Sequence, residues 1–422
     1  MSSYGADEIL GEQFKGVPLG SRLRLSELGS QRWNVLRGDT ATPVAVLRDH
    51  AIESNIETMR RFCERAGVSL APHAKTTMSP QLVSAQHAAG AWAFTVAVPH
   101  QGQLLWEFGA ERLLLANELV DPAALSWVAD QLDSDPAREL VTYVDSRAGA
   151  DAAQEAMVTS GCDRPLPVLI ELGHANGRTG VRTVAEALEL AEHVSTSSHL
   201  TLAGVAGYEG TIATTRNAEA VARVDEFLAD MGHLARALIA SGALDPRTGP
   251  IITAGGSIFF DRVATAFEPL RDLGFRVVLR SGCYLIHDHG LYDRATPDAQ
   301  PDWTFGTFEP ALEIWARVVS RPESRLALVN AGRRDLSIDG GYPVPLAAHR
   351  PVDGTQVDIA GAEVSALSDQ HAFLAISPET DLRVGDLVGL GISHPCTTFD
   401  RWRLILRVDE QYNVVGGVRT YF

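Results

Sequence analysis

The stretch VLIELGHANGRTGVRTVAEALELAEHVSTSSHLTLAGVAGY, residues 168–208, decides the fold. It opens on an apolar run too short for a globular helix and too continuous for a half-exposed strand, the pattern of a strand buried on both faces. A loop bearing Gly and Asn follows, then RTVAEALELAEHV (182–194), whose apolar residues recur at helical spacing. LAGVAGY (202–208) closes the stretch with a second buried strand. Strand, helix and strand in this order form the βαβ unit of a parallel sheet.

Working outward, the same unit recurs on both sides. Upstream lie GVSLAPH (67–73), AFTVAV (93–98), RLLLAN (112–117) and VTYVD (141–145). Downstream, after the helical pattern AEAVARVDEFLADMGHLARALIA (218–240), come IITAGG (251–256) and RVVLRSG (276–282). Eight buried strands, each followed by a helix or crossover, are the count of a closed (β/α)8, TIM-like barrel, whereas an open doubly wound sheet usually has fewer. The barrel is expected over residues 50–292.

Beyond it the helical period fades. LEIWARVVS (312–320), LALVNAG (326–332), EVSALSDQHAFLAI (363–376), DLVGLGIS (386–393), WRLILRVDE (402–410) and YNVVGGVRTYF (412–422) read as strands between turns. The chain is thus α/β with a C-terminal all-β domain, residues 293–422. Residues 1–49 are assigned to that domain because TPVAVLRDH (42–50) reads as a strand preceding the barrel.

Composition limits the partners. The 422 residues are 45% hydrophobic and carry 53 Asp and Glu against 36 Lys and Arg, a net charge of −17. That balance, with no long basic run, argues against nucleic acid and anionic membrane surfaces. MSSYGADEILGEQ at the start lacks a basic segment followed by an apolar one, and no apolar run approaches the ~20 residues of a membrane span. Cys63, Cys162, Cys283 and Cys396 are scattered rather than arranged as a disulfide framework. The expectation is a soluble protein of a reducing compartment, the cytoplasm.

Three places could carry chemistry. A barrel's active site lies where its strands end, and Lys75 follows the first strand there; a lysine so placed can form a Schiff base with a carbonyl cofactor. TAGGS (253–257) ends the seventh strand, and its successive backbone N–H groups could converge on a phosphate, with RSGCY (280–284) offering a second glycine turn beside it. Either could equally be an ordinary βα turn. Third is SHPCTTFDRW (393–402): if the segment is extended, His394 and Cys396 share a face, a half-site for zinc that Asp400 either joins or orients.

Six segments in order, PHAKTTM, IELGHANGRTGV, GVAGYEGT, TAGGS, LRSGCYLIHD and GISHPCTTFDRW, resemble those of pyridoxal-phosphate enzymes of the alanine racemase fold, and most closely the D-serine dehydratase and D-threonine aldolase branch. The resemblance runs from about residue 42 to Phe422. It implies that Lys75 carries pyridoxal 5'-phosphate, and that Arg178 and Tyr208 lie near the cofactor. It also implies that Gly255, Gly256 and Ser257 cradle the phosphate with help from Gly282 and Cys283. Arg280 stands where alanine racemases set an Arg against the pyridine nitrogen; a surface arginine ending a strand is the other reading. His394 and Cys396 match the zinc-binding His-x-Cys pair of the dehydratases, where the aldolases usually show His-x-Asp. The chain departs from the family's K-T-H-K with Lys75-Thr76-Thr77-Met78.

The function implied is a zinc-assisted elimination of water from a D-3-hydroxy amino acid, such as D-serine or D-threonine, to a 2-oxo acid and ammonia. Lys75 would be the catalytic base and a homodimer the assembly. The alternatives are retro-aldol cleavage of the same substrates, racemisation, and a non-catalytic cofactor carrier.

Overall fold

The computed structural model describes residues 4–300 and 303–422. A small antiparallel pair, β1 (Ile9–Leu10) and β2 (Leu23–Arg24), precedes β3 (Val44–Arg48). Eight parallel strands follow: β4 (Ser69–Leu70), β5 (Phe94–Val96), β6 (Arg112–Glu118), β7 (Glu139–Val144), β8 (Leu166–Leu172), β9 (Leu200–Gly207), β10 (Ile251–Ala254) and β11 (Arg276–Leu279). They pair in chain order from β5 round to β11, and β11 pairs with β4. A parallel bridge from His73 to Thr95 joins the first strand's extension to the second, which closes the barrel. All eight expected barrel strands are present.

The strands read as continuous apolar runs because each buries both faces. Leu114, Tyr143, Leu169, Ala206 and Val278 point into the barrel and pack on one another. Their neighbours Leu115, Val144, Ile170, Val205 and Leu279 point outward under the helices. Full burial of such a side chain stabilises by about 1.5–3 kcal/mol, and a register slip by one residue would exchange the inward and outward sets between two differently shaped interiors.

In the opening stretch, helix Val184–Ser195 begins at Thr183, whose hydroxyl accepts from the Glu186 N–H while the Glu186 carboxylate accepts from the Thr183 N–H. This reciprocal cap fixes where the chain leaves the loop after β8 and turns into the helix. Long helices such as Ala218–Ala240 complete the outer layer.

The second sheet contains β12 (Leu312–Glu323), β13 (Leu326–Val329), β14 (Val344–Arg350), β15 (Thr355–Val357), β16 (Glu363–Leu367), β17 (Ala372–Ala375), β18 (Leu387–Gly391), β19 (Leu404–Val408) and β20 (Val414–Arg419). β14 and β15 have no counterpart among the expected strands. β14 is only half buried, holds Pro345 and His349, and pairs with β18 across an irregularity between Pro345 and Ala347, so it shows no period-two pattern. β3 lies between β12, to which it is antiparallel, and β19, to which it is parallel. The segment before the barrel is therefore an interior strand of the second sheet.

Candidate active site

The strand ends on one rim of the barrel surround a cavity of about 660 Å³, within the ~300–1,000 Å³ usual for small-ligand sites. Lys75 sits on a tight 3-10 turn, Ala74–Thr76, just past β4, and is the exposed residue among buried neighbours from Ala74 to Ser79. Its side chain lines the cavity. Beside it His73 is held well below the ordinary imidazole value, by burial first and then by Lys75 and Arg280, so its ring is neutral.

Arg280 is a buried side chain and not a surface one. It is 6% exposed, and its guanidinium donates to the Thr253 hydroxyl at 2.8 Å and the Gly207 carbonyl at 2.7 Å. These bonds aim a fixed positive charge into the cavity from the end of β11. Arg178 lies 4.8 Å over the Tyr208 ring, and the Tyr208 phenol is pushed up to about 12 by burial and then by Glu209.

The glycine turn differs from expectation in a specific way. The N–H groups of Gly255 and Gly256 donate to the two oxygens of Glu209, at 2.9 and 2.8 Å, instead of converging on the cavity. Glu209 is fully buried and stands two residues past the end of β9. The N–H groups free to face an anion are therefore those of Ser257, Gly282 and Cys283, which donate to no protein group among the described residues. The glycines are needed for space. A Cβ on Gly256 would stand 3.1 Å from the Tyr208 ring, and one on Gly282 only 2.5 Å from the His73 carbonyl oxygen.

The same cavity is lined by a cluster of Cys283, His394 and Cys396, whose donor atoms all fall within 4.8 Å of one another. The segment holding His394 and Cys396 is not extended. His394 precedes a short helix, Pro395–Phe399, with Pro395 at its first position, so Cys396 is brought round by a helical turn. The Ser393-His394-Pro395 sequence carries the signal, since Pro is favoured at a helix start. Cys283 Sγ lies 3.3 Å from Cys396 Sγ, and the Thr76 hydroxyl lies 3.7 and 3.5 Å from the two sulfurs. Thr76, which the chain shares with the K-T-H-K pattern, thus places a small hydroxyl against the thiols, and the departing residues Thr77 and Met78 are buried.

His394 is oriented by Asp339, whose carboxylate meets Nδ1 at 2.6 Å and also accepts from Thr397 at 2.8 Å. Nothing in the sequence near Asp339 marks it; it arrives on the loop before β14. Asp400 pairs instead with Arg401 and is not in the cluster. The two sulfurs share their protons unequally. Cys396 is lowered, chiefly by its contact with Cys283, while Cys283 is raised well above an ordinary thiol, chiefly by Cys396. Burial pulls His394 down, but Cys283 and Asp339 outweigh it and hold the imidazole at about 9.

Glu118, at the end of β6 beside the cavity-lining Asn117, is pushed up to about 8 by burial, then by Glu171 and Asp145.

Residues 48–244 match the family model for the alanine racemase N-terminal domain, and residues 311–408 the one described as "Putative serine dehydratase domain". The chain is 26% identical to a D-threonine aldolase of Arthrobacter sp over 362 residues, 85% of this chain and 86% of that protein. It is 27% identical over 308 residues to a D-threo-3-hydroxyaspartate dehydratase of Delftia sp. (strain HT23), 71% of this chain and 73% of that one. Among solved structures, a D-threonine aldolase from Filomicrobium marinum superimposes with a TM-score of 0.76 at 25% identity, covering 90% of this chain and 95% of the other.

Proposed function

Since the chain belongs to the D-serine dehydratase-like family of pyridoxal-phosphate enzymes with the alanine racemase fold, we propose that it removes water from a D-3-hydroxy amino acid, giving a 2-oxo acid and ammonia, with zinc as second cofactor. The observation that carries this reading is the position of the His394 and Cys396 pair, on the same cavity as Lys75.

The residues present fit both groups. Lys75 would hold pyridoxal phosphate, with the Ser257, Gly282 and Cys283 amides on its phosphate, where Gly256 and Gly282 leave room for close approach. Arg178, Tyr208 and Arg280 would border the ring. A neighbouring imidazole and thiolate suit zinc better than hard cations such as magnesium. When bound, the cofactor supplies a sink for the electron pair left at the substrate's Cα, and zinc supplies a Lewis acid at its β-hydroxyl.

The chain's own residues do the rest. The Lys75 side chain, as a neutral amine, would take the proton from Cα, because it enters the cavity from the turn after β4 and has no hydrogen-bond or ion-pair partner among the described residues. Arg280 stays charged and keeps its hydrogen-bonding geometry through Thr253 and Gly207, which disfavours a proton on any basic nitrogen brought against it. Asp339 fixes the His394 ring so that Nε2 is the nitrogen free for metal. The reading includes a homodimer in the cytoplasm; the four cysteines are all free.

A second reading, retro-aldol cleavage to an aldehyde and an amino acid, draws support from the aldolase names among the relatives. Cys396 stands where those enzymes usually show Asp, which favours elimination. Protein loaded with both cofactors should be given D- and L-3-hydroxy amino acids, and ammonia, 2-oxo acid and aldehyde measured. Ammonia and 2-oxo acid from D-substrates support the proposal. Aldehyde without ammonia transfers the site to the second reading, and no product from either enantiomer removes both.

A further inference from the structure

We propose that Cys283 is a third protein ligand to the metal, making a two-sulfur, one-nitrogen site with a single open position. This rests on the reading of His394 and Cys396 as a zinc pair and goes beyond it. Cys283 was expected to supply a backbone amide to the phosphate, a role its side chain leaves free. That side chain turns away from the phosphate turn and meets Cys396 at 3.3 Å. Two sulfurs on one tetrahedral zinc, with Zn–S near 2.3 Å, stand about 3.8 Å apart, so the pair needs to open by only about half an ångström.

The cluster has the form of a site and not of a chance thiol contact. Its three donor atoms lie within 4.8 Å of one another and open on the cavity that holds Lys75. The imidazole already has the carboxylate partner that metal-bound histidines keep, Asp339 at 2.6 Å. The Thr76 hydroxyl reaches both sulfurs. The turn that carries Cys283 packs closely on the segment of Lys75, since Gly282 leaves no room for a Cβ against the His73 carbonyl.

Three protein ligands with a fourth position open is the ligand count of a catalytic zinc, and two thiolates with a neutral imidazole cancel the ion's charge. Metal is then held by the barrel, through Cys283, as well as by the second sheet, through His394 and Cys396. The same residue carries the amide proposed for the phosphate, so the two cofactor sites would meet on one residue.

The test is zinc K-edge X-ray absorption on the reduced holoenzyme, with a competition titration of zinc affinity for wild type and Cys283→Ser. Two sulfurs near 2.3 Å in wild type and one in the variant, with an affinity loss of about a hundredfold or more, are expected, since even partners one step removed from a metal change affinity 10–100-fold. The variant keeps the backbone amide, so its cofactor absorbance should be retained. One sulfur in the wild type overturns the third ligand and leaves the His394 and Cys396 pair standing. Failure of the wild type to hold zinc overturns both. The wild-type spectrum decides even if the variant does not fold.

Discussion

Replacing Glu209 by Gln isolates the internal support of the glycine turn. Both carboxylate oxygens are occupied, by the Gly255 N–H at 2.9 Å and the Gly256 N–H at 2.8 Å, and the side chain is fully buried. Gln keeps the size but turns one acceptor into an NH2 donor, so one backbone N–H faces another donor. A hydrogen bond to a charged acceptor contributes about 1.5–3 kcal/mol, and a buried donor left without partner costs about 1–3 kcal/mol. Together they give a loss of about 2.5–6 kcal/mol. Unfolding 422 residues at about 2.1 cal/mol/K each releases about 0.9 kcal/mol/K, so the midpoint should fall by about 3–7 °C. Calorimetry should be run on the cofactor-free protein, because bound cofactor adds its own stabilisation. Titration with pyridoxal phosphate should also show affinity at least about tenfold weaker, since about 1.4 kcal/mol of the strain falling on the phosphate turn suffices. A midpoint within 1 °C of wild type and an unchanged affinity, taken together, would mean that the turn is held by something other than Glu209.

Lys75→Ala should abolish the near-visible absorbance of the bound cofactor, and borohydride treatment of the wild type should fix the cofactor on the peptide containing Lys75; labelling of another lysine ends that assignment. Gly282→Ala should cost about 1–3 kcal/mol, because its Cβ would lie 2.5 Å from the His73 carbonyl and 2.9 Å from the Thr76 hydroxyl, and should weaken both cofactors; an alanine variant with wild-type melting and loading contradicts the close approach. Glu118 is raised to about 8 from an ordinary value of 4.5, so the folded state binds its proton more tightly and this contribution, complete below about 4.5, is lost as pH rises through 8. Glu118→Gln should flatten the decline of the melting midpoint between those pH values, and an unaltered decline would assign it to other groups.

The barrel was legible because buried parallel strands leave a local mark: runs such as Leu166–Leu172 are apolar on both faces whatever their partners. β14 left none, since its half-buried face and its irregular pairing at Pro345 erase the alternation. In the site, Lys75, Arg280 and the pair His394 and Cys396 could be named from motifs and strand ends. Glu209, Asp339 and the thiol of Cys283 could not, because each acts through a contact with a distant segment. Cys283 meets a sulfur 113 positions away. The expectation of an extended segment at His394–Cys396 failed on one local residue, Pro395, which starts a helix there.

The placement of β3 has a consequence in time. Its Leu47 pairs with Leu312 on one side and Arg407 on the other. A ribosome adding about 5–20 residues per second therefore makes this strand tens of seconds before it makes either neighbour. Val44, Ala45, Val46 and Leu47 are all essentially unexposed in the finished protein, so during that interval four apolar residues wait without their sheet. From β5 to β11 each barrel strand pairs with the one made just before it, and of the barrel strands β4 alone waits, for β11. The emerging chain is thus vulnerable at the early strand β3, and release of synthesis before residue 404 would leave it with an open edge.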